Sequence, residues 1–301
     1  MLRIPGDWRR PDLGESYALA WHEDLGYGEL LPRPERAEMA RFHESREQLC
    51  GVARTDRDPW RWRLLRFCFR LLDRGAPGGV DYFTRLLPKR GGLVLDIGSR
   101  GGRLLAAFAA RGIWAIGVEP DAAARAVAAR RGVTELEGTA EDIPGIILDG
   151  SVRLINLTHV LEHCVEPAAA LVALRDKLCV GGALVIEVPN NQCVGARQQE
   201  ACWRFLDVPR HLNFFTTSSL TRMVEEAGMV VERIDYRGYG RQVTPEWLAI
   251  QRRIYHTFVE MGATDIRDRN GFLDAVALLL RTAFAAPGRK YDSVRVVARR
   301  S

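Results

Sequence analysis

A glycine-rich turn within the stretch LVLDIGSRGGRLL, residues 93–105, is the part of the sequence best suited to chemistry. Glycines such as Gly98 and Gly102 carry no Cβ atom, so a ligand can lie directly against the backbone. Asp96, just before the turn, is an acid that can shape the turn and hold an ammonium group. The dinucleotide fingerprint GxGxxG fails, because Arg100 occupies the place of its second glycine.

A second acid, Glu119, follows the next apolar run in GVEPD, about 20 residues after the glycine turn. A carboxylate at this place accepts two hydrogen bonds from a ribose diol, as any cofactor built on adenosine requires. An acid on the surface is the alternative, but a position at a strand end favours ribose binding. Further on, AEDIP at 140–144 is placed to meet an adenine edge.

His159 and His163 flank Glu162 in HVLEH, which matches the HxxEH pattern of inverted zinc proteases. In those enzymes the two histidines lie on one face of a helix. Here the pattern follows a buried strand within a series of alternating strands and helices, so we predict no metal site. We expect Glu162 and His163 to pack beneath the active site, and His159 to lie near the cofactor.

His211, in PRHLNFF, is the first candidate for a general base, and His159 is the second. It lies in a connection that, in a doubly wound sheet, runs along the cofactor side. Neighbouring aromatic residues could seat an acceptor and keep the imidazole neutral by desolvation. These are Trp203, Phe205, Phe214 and Phe215. The alternatives, that these aromatics are core and that His211 only hydrogen-bonds its loop, remain open.

From Gly91 onward, short apolar runs alternate with helical patterns, which predicts a parallel, doubly wound α/β sheet. The predicted strands are 93–97, 114–118, 134–138, 152–157, 183–188, 230–236 and 292–299. The predicted helices between them are 103–111, 122–131, 167–178 and 220–227, with two more at 245–258 and 271–284. The last two make residues 245–286 a helical insert between strands six and seven.

The first 90 residues have a different pattern and are predicted to form a separate arm and helical lid, with the Rossmann-like domain at 91–301. Residues 1–35 are rich in Pro, Gly and charge, which indicates an extended arm. Helices are predicted at 35–49, 60–72 and 81–87. The middle helix is apolar except for a narrow arginine stripe, which favours a lid or dimer helix over a membrane-surface helix. The stripe consists of Arg63, Arg66, Arg70 and Arg74.

Composition narrows the class of protein. The chain has 301 residues, 47% of them hydrophobic, and a formal net charge of +5. No apolar run reaches the 18 residues of a membrane span, and no secretory signal begins the chain. The six cysteines lack CxxC spacing, so we expect reduced thiols in a cytoplasmic protein. Basic charge is concentrated on an apolar helix, which argues against a nucleic-acid partner.

Six segments in order resemble the motifs of class I S-adenosylmethionine-dependent methyltransferases, and the ubiquinone-biosynthesis and small-molecule O-methyltransferase branch in particular. They are VLDIGSRGG, GVEP, AEDIP, LTHVLEHCVEP, LCVGGALVIEVPN and HLNFFTTSSLTRMVEEAGM. The resemblance covers about 91–239 and the last strand. It implies a seven-stranded sheet whose last strand is antiparallel, with S-adenosylmethionine lying across the carboxyl ends of the strands.

The resemblance also assigns cofactor-binding residues. It implies that Asp96, Gly98 and Gly102 shape the methionine end of the site, that Glu119 holds the ribose, that Asp142 and Ile143 meet the adenine, and that Thr158 lies at the sulfonium side. The family usually has glycine at the position of Arg100. If that position requires positive φ, arginine is costly there, and the neighbouring Gly101 is the candidate to form the turn instead.

These observations predict methyl transfer from S-adenosylmethionine to a small-molecule acceptor, with a hydroxyl favoured over nitrogen or carbon. Two alternatives remain: a catalytically silent S-adenosylmethionine-binding protein, and an NAD-dependent oxidoreductase, which Arg100 disfavours. A homodimer through the N-terminal helices is a further expectation.

Overall fold

The computed structural model describes residues 1–43, 59–87 and 92–301. Its strands are β1 (Leu2–Ile4), β2 (Tyr17–His22), β3 (Tyr27–Leu31), β4 (Leu93–Ile97), β5 (Ala115–Val118), β6 (Glu135–Leu136), β7 (Val152–Thr158), β8 (Leu178–Pro189), β9 (Asn213–Phe215), β10 (Met229–Arg237) and β11 (Ser293–Arg300).

The helices are α1 (Arg36–His43), α2 (Trp60–Leu72), α3 (Val80–Thr84), α4 (Arg103–Ala109), α5 (Ala122–Arg130), α6 (Pro167–Lys177), α7 (Val194–Gln199), α8 (Thr217–Glu226), α9 (Pro245–Glu260), α10 (Phe272–Thr282) and α11 (Pro287–Lys290). Residues 44–49 of the predicted helix at 35–49 lie outside the described residues, as do Cys50 and the proposed domain boundary at residue 90.

The chain forms two compact units, and each is assembled from separate segments. Unit 1 comprises Met1–Gly75, Pro189–Thr217 and Tyr236–Val294. Unit 2 comprises Ala76–Val188, Ser218–Asp235 and Arg295–Ser301. The units therefore interleave along the chain, whereas the sequence pattern predicts a single division near residue 90.

Unit 2 is built on a seven-stranded sheet with the order β10-β11-β8-β7-β4-β5-β6. Strand β4 is parallel to both β5 and β7, and β7 is parallel to β8. The sheet is mostly parallel, with a late antiparallel strand, which confirms the predicted Rossmann-like fold. The central strands β4, β7 and β8 are largely apolar because helices cover both faces of such a sheet; Val94 and Leu154, for example, are completely buried.

Capping signals in unit 2 act as the sequence predicted. The Asp121 side chain accepts a hydrogen bond from the Ala123 N–H at 2.8 Å and so caps the first turn of α5. Gly132 follows that helix with a φ of 73°, a left-handed conformation that favours glycine. The helix that follows β5 is thus fixed at both ends by local sequence.

Unit 1 contains a four-stranded antiparallel sheet with the order β1-β2-β3-β9. The prediction of an extended arm over residues 1–35 was wrong, because these residues form three strands of this sheet. Ile4, Leu19 and Leu30 are buried by it. Strand β3 pairs with β9, where Tyr27 lies opposite Phe215, a partner too distant in sequence for local pattern to reveal.

The helices of unit 1 include both predicted helices of the insert, α9 and α10. Leu65 and Phe69 on one face of α2 are buried in a core shared with residues of α10. Trp62 of α2 meets Phe272 of α10 edge to face, with ring centroids 5.4 Å apart. The helix pair therefore has a well-packed inner side.

The opposite side of α2 is apolar but exposed. Trp60, Leu64, Phe67 and Leu71 are 75%, 55%, 60% and 63% exposed, respectively. Their spacing places them in one stripe along the helix. Burial of α2 is thus confined to one of its two apolar faces.

In the ranges that the structure describes, no helix is both long enough and apolar enough to cross a membrane.

Candidate functional site

The carboxyl ends of β4, β5, β6 and β7 form one edge of unit 2, because these strands are parallel neighbours. Asp96 of β4 lies beside Gly117 of β5 on one side and Asn156 of β7 on the other. Glu119 immediately follows β5. The strand register thus brings the two predicted acids to the same edge.

Asp96 is only 3% exposed and is held by an amide. Asn156 Nδ2 donates to Asp96 Oδ1 at 2.7 Å, and Thr158 Oγ1 donates to Asn156 Oδ1 at 2.8 Å. The pKa of Asp96 is raised from 3.8 to about 7, chiefly by burial; the Asn156 hydrogen bond opposes this rise in pKa, and the nearby Glu135 and Glu119 carboxylates add to it. A cation arriving beside this carboxyl group would favour its charged form.

The turn after β4 has three residues with positive φ: Gly98 at 66°, Arg100 at 50° and Gly102 at 66°. A Cβ atom on Gly98 would lie 2.7 Å from Val160 Cγ2, and one on Gly102 would lie 2.5 Å from Val133 Cγ2. Both glycines are therefore required by space as well as by conformation. The expectation that Gly101 would replace Arg100 in the turn was wrong, because Arg100 itself adopts the left-handed conformation.

Glu119 is 4% exposed and fastens this turn. Its Oε2 accepts from the Arg100 N–H at 2.9 Å, and its Oε1 accepts from the Asp121 N–H at 3.0 Å. A carboxylate has about four lone-pair positions, so each oxygen retains capacity for one more donor. Glu119 can thus hold the turn and accept from a diol at the same time.

The remaining predicted cofactor residues lie after β6 and at the end of β7. Asp142 is exposed and Ile143 is half-buried, in a turn where the Asp142 N–H donates to Thr139 Oγ1 at 3.0 Å. Thr158 is half-buried and joined to Asp96 through Asn156. All seven predicted cofactor residues therefore belong to unit 2.

His159 has a φ of 55° and lies between two buried carboxylates. Its Nδ1 is 3.0 Å from Glu162 Oε1, and its Nε2 is 3.8 Å from Glu187 Oε1. Residues 161–163 form a short 3-10 helix that begins after His159. His159 and His163 therefore do not share the helix face that the HxxEH zinc pattern requires.

His211 belongs to unit 1, where it is 6% exposed. Its Nδ1 lies 2.7 Å from the carbonyl oxygen of Phe205. Because a carbonyl only accepts hydrogen bonds, Nδ1 carries the proton, and Nε2 is the basic nitrogen of the neutral ring. The local fold thus fixes the tautomer.

The other side chains noted in the sequence, three aromatics and two cysteines, are buried in the protein core. Trp203, Phe214 and Phe215 are at most 2% exposed, so they are core residues of unit 1. Burial raises the pKa of Cys193 and of Cys202 to about 12, which keeps both thiols protonated. None of the five cysteines that the structure describes forms a disulfide.

Two parts of the site were missed from sequence. Asn156 was counted only as part of an apolar strand, although a polar residue within VRLINL was a visible signal. The second is Glu187, which lies beside His159 together with the anticipated Glu162. Glu187 is itself paired with Arg295, at 2.6 Å between Oε2 and Nη2, and both side chains are 1% exposed. That pairing joins β8 to β11 and has no local sequence pattern.

A family model described as a methyltransferase domain matches residues 64–234, more than half of the chain. The chain belongs to this methyltransferase family. It is a class I S-adenosylmethionine-dependent methyltransferase, and S-adenosylmethionine is its cofactor. The NAD-dependent oxidoreductase and the catalytically silent binding protein are thereby set aside.

Among relatives of this methyltransferase, a ubiquinone biosynthesis O-methyltransferase of Dinoroseobacter shibae is 29% identical over 198 residues, covering 56% of this chain and 77% of the relative. Solved structures with similar folds include a methyltransferase of Thermotoga maritima, with 19% identity, a TM-score of 0.49, and coverage of 80% of this chain and 94% of that one. Another, from Archaeoglobus fulgidus, has 17% identity, a TM-score of 0.49, and coverage of 79% and 94%.

Proposed function

We propose that this methyltransferase acts on a hydroxyl oxygen of a small-molecule acceptor. The observation that carries the proposal is the His211 imidazole, whose Nδ1 is held by a carbonyl so that Nε2 is the basic nitrogen. Methylation of a hydroxyl requires a base, whereas an already nucleophilic nitrogen or carbon has less need of one. The name of the Dinoroseobacter shibae relative, an O-methyltransferase, supports the same acceptor atom.

The strand-end edge of unit 2 fits the cofactor. In this proposal the Asp96 carboxyl group holds the ammonium of S-adenosylmethionine, while Gly98 and Gly102 let its methionine part lie close to the backbone. Glu119 accepts from the ribose hydroxyls with its remaining lone pairs. Thr158 lies at the sulfonium side, and Asp142 and Ile143 meet the adenine. The support for these roles is geometric: buried acids and Cβ-free turn positions at one strand edge.

S-adenosylmethionine supplies a methyl group already activated by its sulfonium. The contribution of the chain is therefore to align the acceptor oxygen with that methyl, exclude water and remove a proton. In the proposal, Nε2 of His211 takes the hydroxyl proton as the oxygen–methyl bond forms. His159 is the second candidate, but both of its ring nitrogens lie near carboxylate oxygens in the described structure.

The function is tested by incubating the purified chain with S-adenosylmethionine and a panel of phenols, sugars, amines and carbon nucleophiles. Formation of S-adenosylhomocysteine reports turnover, and NMR of the product locates the methyl group. A product methylated at oxygen is the expected result. Turnover confined to nitrogen or carbon acceptors would contradict O-methylation while leaving methyl transfer intact.

With an acceptor in hand, His211→Ala is expected to lower turnover by about 10²-fold or more, the usual contribution of a general base. Affinity for S-adenosylmethionine, measured by calorimetry, should stay unchanged and so report an intact cofactor edge. His256→Ala, on an exposed position of α9, is the matched control. If His159→Ala loses turnover and His211→Ala does not, the base is His159.

The exposed stripe of α2 supports the further proposal that two copies pair through this helix. Apolar side chains at Leu64, Phe67 and Leu71 are normally covered in a folded protein of this size. Sedimentation of the wild type should show a dimer that Phe67→Glu dissociates. A wild type that is monomeric but pellets with anionic vesicles would instead favour a membrane-surface role for α2.

A further inference from the structure

A cavity of about 550 Å³ in unit 1 is lined mainly by arginines. Its lining residues are Val194, Arg197, Gln198, Arg269, Arg281 and Arg289. No carboxylate occurs among these lining residues of the described chain. Four positive charges therefore face one space with no negative charge among the residues that form it.

The four arginines come from different elements that are fastened to one another. Arg197 lies on α7, Arg281 on α10 and Arg289 on α11, while Arg269 precedes α10. Gln198 Nε2 donates to the Asp274 carbonyl at 3.1 Å, which ties α7 to α10. A second amide, Gln199 Nε2, donates to the Arg269 carbonyl at 2.9 Å. The cavity is thus formed by tertiary structure and not by one flexible segment.

Some other arginines of unit 1 are paired with acids. Arg210 contacts Asp7 at 2.8 Å, and Arg241 contacts Asp292 at 2.6 Å. By contrast, none of the four cavity guanidinium groups forms a hydrogen bond or ion pair with any residue of the described ranges. Like charges that face one space repel one another, and an anion shared among them would offset that repulsion. The arrangement is typical of a site that takes its negative charge from a ligand.

A buried acceptor in the cavity wall gives an independent indication. The Gln198 side chain is 7% exposed, and its Oε1 accepts no hydrogen bond within the part of the chain that the structure describes. A buried acceptor without a donor destabilises the structure that contains it. A ligand hydroxyl or other donor would remove that destabilisation.

We propose that this cavity binds an organic phosphate, with the guanidinium groups holding the phosphate oxygens and Gln198 Oε1 accepting from a neighbouring hydroxyl. Arginine forks match phosphate geometry, and a doubly charged phosphate suits four cations better than a single carboxylate does. This site is distinct from methyl transfer and uses none of the cofactor residues.

Two sources supply this chemistry: a soluble phosphate ester or the headgroup of an anionic lipid. The second source has a structural basis, because Leu280 and Phe284, on either side of Arg281 in sequence, are 75% and 97% exposed. Apolar side chains beside an arginine-lined cavity could meet acyl chains. The shared requirement in both cases is a phosphate held by the same arginines.

The test uses the full chain and three probes: glycerol 3-phosphate, inorganic pyrophosphate, and phosphatidylcholine vesicles with or without phosphatidylglycerol. Calorimetry measures the soluble probes and co-sedimentation measures the vesicles. We expect at least one phosphate probe to bind, and Arg281→Gln with Arg289→Gln to weaken that binding about tenfold or more. Arg267→Gln is the control, because it is exposed in the same loop as Arg269 but does not line the cavity.

Binding of soluble phosphates identifies a metabolite-like ligand, whereas binding only to phosphatidylglycerol vesicles identifies a lipid headgroup. Either result supports the proposal when the double variant loses binding of the probe and the control variant keeps it. Affinity for S-adenosylmethionine should be unchanged in all three proteins, which verifies folding. The proposal is overturned if no probe binds, if the double variant binds like wild type, or if Arg267→Gln loses binding equally.

Discussion

Buried acids have different partners in the two units. In unit 1, Asp7 is fully buried against the guanidinium of Arg210, at 2.8 Å. At the strand-end edge of unit 2, Asp96 and Glu119 are equally buried but are held only by amide donors, with no salt bridge to any described residue. Unit 2 does contain the buried pair Glu187–Arg295, so the contrast belongs to the edge and not to the whole unit.

The contrast separates acids that stabilise the fold from acids that await a ligand. A buried carboxylate paired with arginine has its charge compensated within the chain. Removing either partner leaves the other as a buried charge without compensation. A buried carboxyl group held only by amides still carries the desolvation cost of its charged form, and an incoming cation or hydroxyl can offset that cost. Stability should therefore depend on the first kind, and cofactor affinity on the second.

The largest effect is expected at the paired acid of unit 1. Asp7→Asn leaves the buried Arg210 guanidinium with only the longer contact to Asp207 Oδ1, at 3.7 Å, which should lower the free energy of unfolding by about 3–5 kcal/mol. Urea denaturation followed by tryptophan fluorescence measures this. Of the seven tryptophans, only Trp114 lies in unit 2, so the signal reports mainly on unit 1.

The control is Asp12→Asn. Asp12 pairs with Arg10 at 3.6 Å, but the two side chains are 68% and 39% exposed, so about 0–1 kcal/mol is expected. Equal losses in both variants would mean that the Asp7–Arg210 pair is not what stabilises unit 1.

The second effect tests the ligand-facing acid. Glu119→Ala removes the acceptor assigned to the ribose and should weaken S-adenosylmethionine binding by about 1.5–3 kcal/mol. Calorimetry with S-adenosylmethionine and S-adenosylhomocysteine measures it. Glu137→Ala is the matched surface change, since Glu137 is 78% exposed and pairs with Arg125. Unchanged affinity in Glu119→Ala would remove the ribose assignment.

A third effect concerns pH. Burial raises the pKa of Asp96 in the folded protein to about 7, so the folded state prefers the protonated carboxyl group. The stability that this preference contributes is therefore lost as pH rises from about 4 to about 7. Binding of the cofactor ammonium should pull the pKa down and release a proton. Affinity should therefore rise with pH, by up to about tenfold per unit, and level off near pH 7.

Calorimetry in buffers of different ionisation enthalpy detects the released proton. Asp96→Asn should bind more weakly and show no such pH dependence. If the pH dependence persists in that variant, another group is responsible.

The smallest effect tests the turn. Arg100→Gly relieves a left-handed residue at a φ of 50°, and should stabilise the chain by about 0.5–1 kcal/mol after the entropy of glycine is counted. The backbone N–H that donates to Glu119 is retained, so cofactor affinity should not change. Arg103→Gly, within α4, should instead destabilise by a similar amount. Thermal unfolding distinguishes the two signs.

The same comparison explains what sequence could predict. The sheet of unit 2 was predicted almost strand by strand, because helical and strand periodicities alternate along a continuous stretch. Its acids were found because Asp96 and Glu119 follow apolar runs at strand ends. Asn156 was overlooked inside such a run, and only the register opposite Asp96 reveals its purpose.

Unit 1 was predicted poorly for a physical reason. Residues 17–31 alternate buried and less buried side chains, but proline, glycine and charge around them obscured the pattern. The partner strand β9 has only three residues and lies far from β3 in sequence, so no local pattern predicts their pairing. His211 was noted from its type and neighbours, whereas its tautomer depends on the Phe205 carbonyl, which no sequence pattern specifies.

The pairing of β3 with β9 also has a consequence for biosynthesis. The two strands meet across a sequence separation of 186 residues, as between Tyr27 and Asn213. At ordinary translation rates, about 10–40 s pass between the emergence of the first strand and that of the second. During that interval β3 of the nascent chain has no β9 to pair with, while strands β4 to β8 can already pair with one another. Neither unit can be completed early: unit 1 needs residues up to Val294, and unit 2 needs Arg295–Ser301, which supply most of β11.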